Sequence, residues 1–135
     1  MNNVCAEVMA HLKTGLAAAG HDYPVTEHNR KQGVTPPGVL VVGLNTGRSF
    51  EHLGGPVGID FLDFDVYCYA TTDAGAFTLA EAVRVILQGY RGTMGGTFVN
   101  QITSQTTFEK GTDPPAKGSN RLTYWVVREY TAAHN

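Results

Sequence analysis

The stretch "DFLDFDVYCYA", Asp60 to Ala70, constrains the fold more than any other part of the chain. Leu62, Phe64, Val66, Cys68 and Ala70 fall on one side of an extended backbone, and Asp63, Asp65, Tyr67 and Tyr69 on the other. Such alternation predicts a strand, beginning near Gly58, with one buried and one polar face, as in an antiparallel sheet. A helical run follows, with Phe77, Ala80, Val83, Ile86 and Leu87 as its apolar stripe and Gly89 as its stop. Asp73 can cap it, or Thr78 with Glu81 can form a capping box.

The rest of the chain supplies the partners that these two elements require. Near the N-terminus, Val4, Val8, Leu12 and Leu16 recur every four residues, widened by Cys5, Met9 and Ala19. With Asn3 as cap, Glu7 in the first turn and Gly20 as stop, this predicts an amphipathic helix. His21 to Gly38, punctuated by prolines and glycines, reads as a long loop or arm. "VLVVGL", Val39 to Leu44, predicts a buried strand, and the polar, glycine-bearing segment from Asn45 to Gly58 a connection. Gly92, Gly95 and Gly96 mark a turn. Phe98 to Glu109 reads as a polar strand with Phe98, Ile102 and Phe108 on one face. Lys110 to Asn120 reads as an exposed loop, Arg121 to Tyr130 as the last strand, and 131–135 as a flexible tail. The expectation is one α+β domain over 1–135, in the order α-β-β-α-β-β. Its mainly antiparallel four-stranded sheet carries two helices packed on one face.

Composition bounds the function classes. A chain of 135 residues is of single-domain length and buries roughly two-thirds of its unfolded surface. A formal charge of −2 recruits neither nucleic acid nor an acidic membrane. Cys5 and Cys68 are too few for a disulfide framework or a zinc motif, and they read as reduced core thiols in a cytosolic setting. "MNNVCAEVMAHLKTG" lacks the features of a signal peptide, and no apolar run approaches transmembrane length, so no membrane partner is expected.

Asp63 and Asp65 share a strand face, about 6.6–6.8 Å apart along the strand. With His52 they define a candidate metal-dependent hydrolase. The solvated reading is preferred, because no Asp, Glu or His joins them at motif spacing. The five histidines never pair at ligand spacing. "GYRGTMGG" lacks the Lys and Ser/Thr of a phosphate loop, and "GRS" lacks the surroundings of a nucleophile elbow. Neither a metal nor a cofactor is expected. Tyr67, Tyr69 and Trp125 could form a platform for single-stranded nucleic acid, but Asp63 and Asp65 lie on the tyrosine face. A protein contact surface fits that face better. Two exposed loops, the arm and this face nominate interface residues: Arg30 and Lys31; Arg48, Phe50 and His52; Tyr67 and Tyr69; and Lys110, Asp113, Lys117 and Arg121.

From about Pro36 to Tyr130 the chain resembles the tail-completion, or tail-terminator, family of long-tailed bacteriophages. The resemblance is carried by "PPGVLVVGLNTG", by "FLDFDVYCYATTDAGAFTLAEAVRVILQG", by "TSQTTFE" with its polar proline/glycine loop, and by "RLTYWVVREY", in that order. It implies an α+β subunit that assembles into a homo-hexameric ring. The ring would end the tail tube, meet the tail-tube protein on one side and the head connector or neck protein on the other, and let DNA pass through its lumen without sequence-specific binding. A neck or head-completion adaptor is the neighbouring alternative. The resemblance implies a virion location, with assembly in the cytoplasm of a bacterial host, and carries no catalytic residues.

Overall fold

In the computed structural model, the described residues are 4–27, 36–52, 55–115 and 122–135, with side chains described outside 27, 45–52 and 55–58. Among the described residues, nine elements follow one another: α1 (Val4–Ala18), β1 (Val25–Glu27), β2 (Gly38–His52), β3 (Gly55–Ala70), α2 (Asp73–Leu87), β4 (Gly92–Met94), β5 (Thr97–Ser104), β6 (Glu109–Asp113) and β7 (Thr123–His134). Seven strands form a mixed sheet in the order β1-β2-β3-β7-β5-β4, with β6 also paired to β7. This overturns the expected four-stranded, mainly antiparallel architecture.

Each difference has a local cause. β1 lies within the segment expected to be a loop or arm, and it pairs in parallel with Val39–Val41 of β2. Within the expected connection from Asn45 to Gly58, the described residues are instead strand: β2 and β3 remain paired from Gly38↔Tyr69 to His52↔Gly55, through three register shifts. Its Gly, Asn, Thr and Ser residues read as turn formers, yet bulges absorb them into the ladder. The expected strand over Phe98–Glu109 divides into β5 and β6, which lie end to end along one edge of β7. Between them, the Gln105 amide still donates to the Glu129 carbonyl at 3.0 Å. The expected tail at 131–135 is also overturned, since β7 runs to His134 and Ala132 is fully buried.

β3 is the centre of the sheet. Its residues Asp60 to Ala70 pair with β7, and its opposite edge pairs with β2. Leu62, Phe64, Val66, Cys68 and Ala70 enter the core with Val8, Leu12 and Leu16 of α1 and Leu79, Val83 and Leu87 of α2. Phe64 stacks on Tyr130 with ring centroids 5.7 Å apart. Burial pushes the Cys68 thiol up to about 12, so it sits in the core as a neutral thiol.

The helix ends follow capping chemistry. Thr72, one residue ahead of the expected Asp73, caps α2, and its Oγ1 accepts from the Gly75 amide at 2.9 Å. Glu81 is not part of a capping box; it receives Arg84 at 3.0 Å and Arg128 at 3.5 Å. Gly20 and Gly89 adopt φ of 89° and 78° just past the two helices, the left-handed conformation that glycine tolerates there.

The Phe64→Ala variant should lose about 3–5 kcal/mol of unfolding free energy, because it removes a fully buried ring and opens a cavity against Tyr130. Urea denaturation followed by circular dichroism measures this, and a loss below about 1 kcal/mol would contradict the central place given to β3.

Candidate functional site

The face of β3 that points away from the helices collects most of the unusual chemistry. Cross-strand register builds it in rows. Asp63 stands opposite Thr131, Asp65 opposite Glu129, Tyr67 opposite Val127 and Tyr69 opposite Trp125. β6 adds Glu109 opposite Val127 and Gly111 opposite Trp125. Directly opposed residues share a face, so these side chains form one surface.

Two features order that surface. The first is an aromatic cluster: Tyr67 lies 5.7 Å from Trp125 in an edge-on arrangement and 6.3 Å from Tyr69 in a stacked one. The Trp125 indole N–H donates to Asp113 Oδ1 at 3.2 Å, which holds the ring down across β6. The indole packs where Gly111 has no side chain, and a methyl group there would overlap it. The second feature is a cleft of about 220 Å³ bordered by Asp65, Tyr67, Phe108, Glu109, Val127 and Glu129. Burial raises the proton affinity of Asp65, and the charges of Glu129 and Glu109 raise it further. Tyr67 is raised as well, first by burial and then by Asp65 and Glu109.

The nominated pair Asp63 and Asp65 therefore separates into two environments. Asp63 accepts from Thr131 Oγ1 at 2.6 Å, whereas Asp65 faces the acidic cleft. Among the described residues, no group of three or more His, Cys, Asp or Glu side chains is arranged to hold a metal ion. The His52 side chain lies outside the described ones, as do those of Arg48 and Phe50, although all three positions fall on β2. Arg30, Lys31, Lys117 and Arg121 lie outside the described residues. Of the remaining nominated positions, Tyr67, Tyr69 and Asp113 meet on the bare face. Lys110 points to the helix side of β6, with its Nζ 3.6 Å from Asp73 Oδ2, and is thus part of a strand rather than a loop.

Three participants were not singled out from the sequence. Glu109 and Glu129 reach the cleft only through strand register, which a linear reading does not contain. Arg128 sits among apolar neighbours on the core side of β7 and is 8% exposed. Its guanidinium meets Glu81 and lies 5.4 Å from the centre of the Phe108 ring. It also hydrogen-bonds Tyr130, whose hydroxyl is raised mainly by burial.

No protein-family model matches the sequence, and no curated protein matches it. Among solved structures, the chain is similar to one described as "Virion of native gene transfer agent (GTA) particle". The two align with a TM-score of 0.65 and 13% sequence identity, over 98% of this chain and 95% of that one. The likeness is one of fold. No described helix is long and apolar enough to cross a membrane.

Gly111→Ala should displace the indole of Trp125, the single tryptophan of the chain, and cost about 1–3 kcal/mol through overpacking. A shifted Trp emission maximum with retained far-ultraviolet dichroism is the expected readout. Asp65→Asn should raise the unfolding midpoint by about 2 °C at pH 7, because it removes a carboxylate held against burial and two like charges. A raised folded-state proton affinity means that wild-type stability grows as pH falls through the window between the ordinary and the raised values. The advantage of the Asn variant should therefore close below the ordinary aspartate range. A scanning calorimetry series from pH 7 to pH 3 checks the sign.

Proposed function

We propose that this chain is a structural subunit of a phage-type virion that forms a hexameric ring, ends the tail tube and joins it to the head connector. The observation that carries the reading is the near full-length likeness in fold to a chain of a gene transfer agent virion. The order of sequence pieces that resembles tail-completion proteins supports the same assignment. The role is one of assembly rather than catalysis, and DNA passes through the lumen without sequence-specific contacts.

Two physical features support assembly. Beyond Asp60, β3 has no β7 partner, yet β2 and β3 continue as a two-stranded ribbon to His52 and Gly55. A two-stranded ribbon is marginal on its own in water, which favours a neighbour that covers it. The bare aromatic and acidic face of the sheet gives a second, different patch. A closed ring needs two unlike patches per subunit, each meeting the other on the next copy. Two patches of roughly 800 Å² each would cover about a fifth of the accessible surface of 7784 Å².

Native mass spectrometry of the purified chain should show a species of about 87 kDa against 14.5 kDa for the monomer. Negative-stain images should show annular particles. A strictly monomeric protein at about 100 µM, well above typical assembly constants, would overturn the ring.

A further inference from the structure

Among the described side chains of β3, β6 and β7, the bare face carries carboxylates and no cation. Asp65 and Glu129 oppose one another across β3 and β7, Glu109 lies one row further along, and Asp113 sits beside Trp125. Among the described residues, β3, β6 and β7 direct no Lys, Arg or His to this side. Of the described cations, Arg84 and Arg128 meet Glu81, Lys110 meets Asp73 and Arg91 lies over the Phe98 ring. The whole chain carries −2 and these four carboxylates carry −4, so the remainder carries +2. The positive charge that would complement this face is therefore present on the same polypeptide, at other positions.

The cleft has a size that narrows its occupant. At about 220 Å³ it falls below the roughly 300–1,000 Å³ of small-molecule sites, and it is open to one side chain. Its wall includes the Tyr67 ring, against which a cation is attracted by the negative π face. Its rim carries Asp65, Glu109 and Glu129, and mutual repulsion with burial already makes the Asp65 charge costly. A cation placed there would relieve that cost.

We propose that this face is the acceptor half of a head-to-tail contact between copies of the chain, taking a Lys or Arg side chain of the neighbouring copy between Asp65, Glu109 and Glu129. The proposal rests on the ring reading above and assigns one of its two patches. A heterologous contact joins unlike surfaces, and the split between these four carboxylates and a remainder of net +2 supplies them. Charge complementarity of this kind orients the approach and fixes register, while the half-buried Tyr67 and Trp125 contribute contact area.

The test compares wild type with the triple variant Asp65→Asn/Glu109→Gln/Glu129→Gln. Native mass and sedimentation velocity at about 50 mM and about 500 mM NaCl read assembly across the range in which screening is strong. Thermal unfolding reads folding. The expected result is a folded triple variant whose association is weakened about tenfold or more at low salt, with wild type losing its ring at high salt. Should the triple variant fold poorly, Glu109→Lys alone, at an exposed β6 position, gives the same comparison and should weaken assembly in the same direction. A variant that assembles like wild type, with an unchanged salt response, overturns the assignment of this face and leaves the ring standing; the face would then line the lumen or meet another partner. Wild-type protein that never assembles overturns both.

Discussion

The structure depends on β3 being paired along both edges while its two faces do opposite work. Backbone hydrogen bonding fixes the register, and register decides which side chains meet, because a slip of one residue would send Leu62, Phe64, Val66 and Cys68 to the wrong side. Everything else adjusts to that strand. α1 and α2 exist as stable helices because their apolar stripes find this face, since helices of fifteen residues draw most of their stability from packing rather than from propensity. The Phe64–Tyr130 stack ties the strand to β7 at the centre of the core.

A strand of this kind also separates stability from contact. The even-numbered residues from Leu62 to Ala70 are committed to the core, whereas Asp63, Asp65 and Tyr67 on the odd-numbered side are only partly buried. On that side Asp65, Glu109 and Glu129 repel one another at a partly buried site.

How far the sequence spoke depended on whether a signal was local. The alternation in β3 and the four-residue recurrence of Val8, Leu12 and Leu16 are local, and the same residues are buried in the structure. β1 was illegible because three residues, Val25–Glu27, are too few to show a period and sit between proline- and glycine-rich segments. The β2–β3 ribbon was hidden by turn-forming residues that bulges accommodate. Phe98 departs from the face expected for it with Ile102 and Phe108, because the irregularity between Val99 and Gln101 resets the two-residue period: Val99 and Ile102 are buried, and Phe108 lies on the helix side against Phe77 and Arg128. Arg128 was not singled out in the last strand, yet it follows Tyr124 and Val126 on the inward side, where Glu81 and Tyr130 receive it. For the candidate site, Tyr67, Tyr69, Trp125 and Asp65 were visible as one-sided residues of their own strands. Their grouping with Glu109 and Glu129 required knowledge of which strands are neighbours.

The long β2–β3 ribbon has a mechanical consequence. It is continuous with the central strand, so a pull on its tip along the strand direction passes straight into β3. There it meets the antiparallel ladder from Asp60↔His134 to Ala70↔Tyr124. Force applied along a ladder loads its hydrogen bonds together in shear, whereas force across it would open them one at a time. A subunit held by this ribbon would thus pass tension to the middle of its own sheet, where the resistance to sliding is shared over the whole length of β7.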